Sequence, residues 1–365
     1  MNTDINTHDW LHRSQSERPI IIAGPCSAET EQQVMEAAES LRGMGISYFR
    51  AGAWKPRTRP NNFEGVGDIA LKWLSRARME TGLKVCTEVA NGDHVRKALE
   101  NKIDLIWIGA RTAGNPFSVQ EIASELKGVD VEVLVKNPIS PDIELWIGAL
   151  ERIYNSGITK LGAIHRGFSI YGKTTYRNPP LWDIPIELKR LAPTIPIIVD
   201  PSHISGTKRG LARIIQGALE LRLDGLMIEV HPFPENALSD SKQQISPAAL
   251  EKLLGETLIE DNNNKTLEPM PDAKDILDSL RKKIDRADDR LMGALSERMS
   301  LVSDIGRLKK KWGLPVIQNS RWKHLLESVV ALGKEKDLSI ELIEKIYVLI
   351  HKESINMQSL IMNKE

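Results

Sequence analysis

Proline and glycine all but vanish from the last quarter of this chain. Of 19 prolines only Pro315 lies beyond Pro271, and of 25 glycines only Gly293, Gly306, Gly313 and Gly333 do. These are the residues that helix interiors least tolerate, so the final stretch excludes a turn-rich fold and reads as all helix. Cysteine is equally scarce. Cys26 and Cys86 are the only two in 365 residues, which excludes a disulfide framework and fits a reducing, cytoplasmic setting. No long apolar run or leader-like segment is present, so the expectation is a protein without a membrane span.

An excess of either charge is also missing. Lys and Arg number 49, as do Asp and Glu, and the pI is about 7.1; a general binder of nucleic acid or anionic membranes needs a basic surplus. From Asp272 onward 18 basic residues meet 15 acidic ones, a net of +3, which leaves −3 for the rest. Any strong positive potential must therefore be gathered in a site.

What is present sorts into two domains, as expected for a chain longer than one hydrophobic core usually organises. Residues 1–18 are polar and read as a short tail or capping segment. From 19 to 256 short β-branched runs alternate with amphipathic segments, the pattern of βα units around a buried parallel sheet. The runs fall at 19–26, 46–50, 84–89, 105–110, 131–136, 160–166, 196–200 and 225–230. Eight units over about 230 residues match a (β/α)8 TIM barrel, although a doubly wound open sheet fits the same alternation. Polar residues favour the barrel, whose function gathers where strands end at the carboxyl face. The run ends carry Cys26, then Arg50 with Lys55 and Arg57, Glu88, Arg111, Lys136, His165 with Arg166, His203, and Glu229 with His231.

Cations recurring at successive strand ends of a near-neutral domain predict a focused mouth for phosphates or carboxylates. Cys26, His203, Glu229 and Asp240 form a second set at or just beyond strand ends. Their mixed S, N and O donors suit one borderline divalent metal such as Mn, Fe, Co or Zn.

These residues lie in segments that resemble 3-deoxy-D-arabino-heptulosonate 7-phosphate synthases of the compact bacterial subclass. The segments are AGPCS at 23–27, RAGAWKPRT at 50–58, TEV at 87–89, IGART at 108–112, VKN at 135–137, HRG at 165–167, DPSHISG at 200–206, EVHPFPENALSD at 229–240, and the pair Gln243 and Gln244. The resemblance implies a metal-dependent condensation of phosphoenolpyruvate with erythrose 4-phosphate and water, releasing phosphate. It carries the metal ligands onto Cys26, His203, Glu229 and Asp240, and phosphoenolpyruvate contacts onto Arg50, Lys55, Arg111, Lys136 and Arg166. Arg57 and Thr58 match the pair that grips the erythrose 4-phosphate phosphate. Lys55 is placed as a proton donor or a pure charge, and Glu88 and His231 are candidates for ordering the water. A related family, 3-deoxy-D-manno-octulosonate 8-phosphate synthase, uses arabinose 5-phosphate and carries a KANRS-like segment where this chain has KPRT at 55–58.

Residues 257–272, rich in acidic residues and asparagine with Pro269 and Pro271, read as a linker. Leu277, Leu280, Ile284, Leu291, Leu295, Val302 and Ile305 then recur at mostly three- or four-residue spacing, which predicts one amphipathic helix over 273–312. At 1.5 Å per residue it spans about 60 Å, too long to be buried within its own domain, so it should pair with another chain. Further helices are predicted near 319–334 and 339–362.

This 273–365 stretch resembles the all-helical chorismate mutases through LRKKIDRADDRLMGALSERM at 280–299, IGRLK at 305–309 and ESINMQ at 353–358. The resemblance implies an all-α three-helix domain and a homodimer. Arg281, Arg298, Lys309, Arg321 and Gln358 fall on substrate-binding positions, with Gln318 where an acidic residue is common. Arg281 is implied to reach the partner's site, and Lys309 and Gln358 to stabilise charge on the ether oxygen of chorismate. Trp322 stands where the family usually has Glu. A non-catalytic sensor and dimerisation module is the alternative for this tail. Fusing a first-step enzyme to a later one leads us to expect feedback on the barrel by prephenate or chorismate.

Overall fold

The computed structural model describes residues 3, 5–7, 10–11, 19–55, 57, 62–172, 174–265, 273–317 and 319–363; of 258–265, 273–277, 319 and 320 it describes only the backbone. The chain divides into two compact units, Met1–Thr266 and Leu267–Glu365.

In the first unit, eight strands pair in parallel and in sequence order into a closed barrel. They are β1 (Ile20–Gly24), β2 (Tyr48–Arg50), β3 (Lys84–Val89), β4 (Leu105–Ile108), β5 (Glu132–Lys136), β6 (Leu161–His165), β7 (Ile197–Val199) and β8 (Gly225–Glu229). Closure comes from β8 against β1, in register from Ile20 opposite Gly225 to Gly24 opposite Glu229, which removes the doubly wound alternative. Around the barrel run α1 (Glu31–Leu41), α2 (Ile69–Thr81), α3 (Gly92–Glu100), α4 (Ala110–Ala113), α5 (Pro116–Glu125), α6 (Ile143–Asn155), α7 (Asp183–Leu191), α8 (Pro201–Ser205), α9 (Leu211–Glu220) and α10 (Pro247–Lys265). Local chemistry starts several of them. Thr30, Asn91 and Asp142 accept from backbone N–H groups in the first turns of α1, α3 and α6, and Asn115 with Pro116 opens α5, as N-caps and an N1 proline should.

The barrel lumen is a packed core rather than a pore, filled by Ile22, Tyr48, Cys86, Leu105, Trp107, Leu134, Ile164, Ile198 and Met227. Leu11 joins that core from the amino-terminal segment. Thr3 Oγ1 donates to the Leu191 carbonyl (3.0 Å), Thr7 Oγ1 to that of Thr194 (2.6 Å), and Trp10 Nε1 to that of Leu161 (3.2 Å). The described residues of 1–18 thus cap the barrel's amino end, opposite the carboxyl face.

One boundary differs from the linker reading of 257–272. The backbone of 257–265 continues α10 as helix, because no helix breaker occurs between Glu256 and Pro269 and Asn and Asp only weakly oppose helix.

The second unit holds α11 (Ala273–Trp312), α12 (Asn319–Glu335) and α13 (Ile340–Asn363). Gly306 lets α11 approach α13 closely: a Cβ there would lie 3.0 Å from Ile361 Cδ1 and 3.3 Å from Gln358 Cγ. Few apolar side chains of this unit are buried among the described residues, chiefly Val302 and Ile343, whereas Leu280, Ile284, Leu291, Met292, Leu301 and Ile305 are exposed. Among the described residues no helix is long and apolar enough to cross a membrane.

Candidate active site

Strand ends deliver the chemistry in the first unit. Cys26 follows β1, Arg50 ends β2, Lys136 ends β5 and Glu229 ends β8, all buried. Cys26, Glu229 and Asp240 each offer a ligand atom, and these three atoms lie within 4.8 Å of one another. His203 stands beside them: Nε2 is 3.8 Å from Glu229 Oε1, while Nδ1 is 2.8 Å from Asp200 Oδ2. A histidine whose far nitrogen meets a carboxylate is the arrangement that orients a metal ligand. With one thiol and two carboxylates converging and the imidazole adjacent, this donor set fits a divalent transition metal.

Each convergent donor also touches a cation. Lys55 Nζ is 2.9 Å from Cys26 Sγ, Arg50 Nη2 is 3.2 Å from Glu229 Oε1, and Arg177 Nη1 is 3.0 Å from Asp240 Oδ1. Burial, with Glu229 beside it, pushes the Cys26 thiol up to about 12, and Lys55 opposes that rise. Burial pushes Asp200 up as well, but His203 and Lys136 (3.0 Å) outweigh it and hold the carboxyl well below its usual range.

Above this floor opens a cleft of about 320 Å³ lined by Lys55, Arg57, Asn62, Glu88, Ala110, Arg111, Lys136, Arg166, Arg177, His203 and Asp240. Burial, opposed by Asp200 and reinforced by Arg177 and Arg111, pulls the Arg166 guanidinium down to about 10. Arg50 lies beneath, its guanidinium carbon 5.0 Å from the centre of the Trp107 ring, and its buried Nε and Nη1 have no hydrogen-bond partner among the described residues. Buried donors of this kind call for an acceptor, which an anion entering the cleft would supply. Glu88 accepts from Trp107 Nε1 at 2.9 Å. Its carboxylate also presses on Gly109, where a Cβ would collide with it.

Of the residues singled out from the sequence, the cleft or its floor gathers Cys26, Arg50, Lys55, Arg57, Glu88, Arg111, Lys136, Arg166, His203, Glu229 and Asp240. Thr58 lies outside the described residues. His231, expected to help order water, is buried and does not line the cleft: its Nδ1 accepts from Phe233 N–H (3.0 Å) and its Nε2 faces Glu29 (3.6 Å). His165 packs among Trp146, Phe168 and Trp182 instead of facing the cleft. Sequence reasoning missed Arg177 and assigned no role to Asp200 and Gln243, although both fall in segments it singled out. Asp200 ends the seventh β-branched run, so the strand-end rule could have found it; Arg177 comes from a loop with no pattern to mark it.

In the second unit Arg298, on α11, donates to Ser354 Oγ of α13 (2.8 Å). Gln358, one α13 turn further, is buried and its Oε1 has no partner among the described residues. Lys309 Nζ donates to the Val316 carbonyl (2.7 Å), and Trp322 stacks on His351 with centroids 4.0 Å apart. Arg281 is exposed and pairs with Asp278 on its own helix (3.1 Å); Arg321 is exposed, and Gln318 lies outside the described residues. A single chain therefore brings Arg298 and Gln358 to one helix interface but leaves Arg281 and Arg321 on the surface.

Fold and site define a (β/α)8-barrel enzyme with a cationic cleft at the carboxyl end for small, multiply anionic substrates, joined to a helical unit. The sequence profile of the DAHP synthetase I family matches residues 4–264, and that of chorismate mutase type II matches 280–359. The chain belongs to the DAHP synthetase I family and carries a chorismate mutase type II domain after the barrel, so both a synthase and an isomerase domain are present. A phospho-2-dehydro-3-deoxyheptonate aldolase from Thermotoga maritima is 36% identical over 236 residues, 65% of this chain and 68% of that protein. A 2-dehydro-3-deoxyphosphooctonate aldolase from Desulfotalea psychrophila is 29% identical over 258 residues, 64% of this chain and 87% of that one. Among solved structures, the Thermotoga maritima DAHP synthase is 34% identical with a TM-score of 0.60, covering 67% of this chain and 69% of that chain. A truncated form of the 3-deoxy-D-arabino-heptulosonate 7-phosphate synthase from the same organism is 32% identical with a TM-score of 0.58, covering 67% and 87%.

Proposed function

We propose that the barrel condenses phosphoenolpyruvate with erythrose 4-phosphate and water, using one divalent Mn, Fe, Co or Zn ion held by Cys26, Glu229, Asp240 and His203, and that the helical unit rearranges chorismate to prephenate. The observation that carries the first half is a cluster of metal-type donors at the floor of a cleft lined by six Lys and Arg side chains. Phosphoenolpyruvate concentrates carboxylate and phosphate charge on three carbons. Arg166, Arg111, Lys136 and Arg50 offset that charge and fix the orientation in which its C3 faces an aldehyde. Arg57, whose Nε is held by the Phe63 carbonyl (2.8 Å), grips the phosphate of the aldehyde substrate. The bound metal would supply Lewis-acid polarisation of the aldehyde oxygen. Lys55 stabilises the alkoxide that develops there or gives it a proton, and Glu88 orders the water that adds to C2 as phosphate leaves. Offering phosphoenolpyruvate with erythrose 4-phosphate and arabinose 5-phosphate in parallel tests the reading. A seven-carbon product is expected, and an eight-carbon product instead would defeat it.

Rearrangement of chorismate needs no nucleophile, only a fold that holds two carboxylates in a compact conformer and favours charge on the ether oxygen. Arg298 is suited to the first task, and Lys309 with Gln358 to the second; Arg281 would come from a second copy, consistent with a homodimer built on the exposed apolar face of α11. A sensor without turnover is the second reading, favoured by the Trp322–His351 stack close to Ser354 on α13. Direct assay of chorismate disappearance separates the two. Prephenate or chorismate bound by this unit is also proposed to change the synthase rate; an unchanged rate at saturating prephenate would remove that idea. Two buried, free cysteines accord with a cytoplasmic setting.

A further inference from the structure

Of the three convergent donors, Asp240 alone lies well away from a strand end. It sits on the loop after β8 with φ 48°, a left-handed conformation that a non-glycine residue keeps only where its surroundings enforce it. Two glutamines fasten this loop. The Gln244 side chain accepts from Cys26 N–H (3.0 Å) and donates to the Ser239 carbonyl (2.7 Å). Gln243, fully buried, donates to Glu229 Oε2 (2.7 Å).

Gln243 Oε1 is in turn claimed by Arg177, whose Nη1 donates to it at 2.8 Å and to Asp240 Oδ1 at 3.0 Å. One nitrogen therefore reaches one carboxylate directly and the other through a single amide. The loop that carries Arg177, between β6 and α7, is pinned to the turn bearing His203. Arg177 N–H donates to the Ser205 carbonyl (3.3 Å), Asn178 N–H to that of Ile204 (3.1 Å), and Asn178 Nδ2 to that of His203 (2.7 Å). Gly206, at φ 69°, leaves the space in which the Arg177 stem lies.

We propose that Arg177 is a positioning residue for the metal centre: its guanidinium sets the orientation of Asp240 and, through Gln243, of Glu229, so that both carboxylates face one cation. The proposal rests on the reading that Cys26, Glu229, Asp240 and His203 bind a metal. Two opposing effects decide its sign. Arg177 is a like charge near a cation site, yet its side chain is 48% exposed, and solvent screens such a charge strongly. Outer partners that orient ligands are worth about 10–100-fold in metal affinity. Orientation wins, so removing Arg177 weakens metal binding although it removes a repulsive charge.

The test is Co²⁺ titration of the chelator-stripped full chain, followed by calorimetry and by the thiolate-to-cobalt absorption band that reports Cys26. Arg177→Met, which keeps the stem and loses the donor, is expected to bind about 10–100-fold more weakly. Arg177→Lys should recover part of that loss, and Gln243→Leu should lose a comparable amount. The double variant should be hardly weaker than either single one, since both act through one network. Equal or tighter binding by Arg177→Met, a lysine variant no better than the methionine one, or fully additive losses would each overturn the positioning role. Failure of the parent chain to bind Co²⁺ would remove the metal reading and this inference together, whereas binding by the parent with Arg177→Met unchanged removes only the inference.

Discussion

The barrel keeps its charges inside, and the helical unit keeps its apolar residues outside. Arg50, Lys136, Asp200 and Glu229 are all buried beneath the barrel cleft, each beside a group of opposite sign. On α11, by contrast, Ile284, Leu291 and Met292 each leave more than half of their surface to solvent. The contrast teaches where each site is completed. Closure of eight strands brings distant residues of one chain together, so the barrel site needs only small ligands to be finished. Three helices cannot enclose a 40-residue rod, and an apolar face of that extent is the surface on which the proposed homodimer would form.

Four experiments would break or sharpen that contrast. The largest effect is expected from chelation: synthase turnover should fall to background and return with a divalent transition metal, while chorismate turnover is untouched. Loss of both activities, or of neither, would end the idea that only the barrel depends on a bound ion. Next, Arg298→Ala should lower the kcat/KM for chorismate by about 10²–10³ and leave the condensation rate unchanged; an equal fall in both assays would mean that the substitution damages the whole chain. Leu291→Asp comes third. A carboxylate on the apolar face of α11 should weaken self-association about tenfold or more and reduce chorismate turnover with it. Sedimentation of the parent and the variant is the measurement, and a monomeric parent would refute the dimer.

The last experiment concerns acid stability and belongs to the barrel alone. Burial, with Arg166 beside it, pulls the His165 imidazole from 6.5 down to about 3. Between those values the unfolded chain binds a proton that the folded barrel refuses, so the stability present above 6.5 is lost as pH falls toward 3. The slope for one proton is about 1.4 kcal/mol per pH unit. His165→Phe, which keeps a ring among Trp146, Phe168 and Trp182, should remove one proton's worth of that slope in denaturant titrations across the window. An identical slope would show that other groups set it.

Much of this architecture is legible in the sequence because the barrel rewards local patterns. β-branched runs mark the strands, and residues at or just beyond the end of each run are carried to the carboxyl face, which is how Arg50, Lys136, His203 and Glu229 declare themselves. Asp200 obeys the same rule: it accepts from His203 N–H at the start of α8 (3.1 Å) and also holds the His203 ring. Arg177 and the bridging role of Gln243 are not legible: their meaning comes from loops brought together only by closure. Composition also misled at 257–265, where asparagines and carboxylates suggested a linker but nothing in the backbone forbids a helix. For residues 1–18 a polar average leaves tail and cap undecided; the buried Ile5 and Leu11 are what favour the cap.

That amino-terminal cap carries a consequence for the order of events during synthesis. Thr7 is held by Thr194, a separation of 187 residues, and Trp10 by Leu161, a separation of 151. Thr7, Trp10 and Leu11 therefore wait for their partners until β6 and the turn before β7 have been made. Contacts so distant in sequence are slow to form, and the barrel floor is sealed only after most of the wall exists.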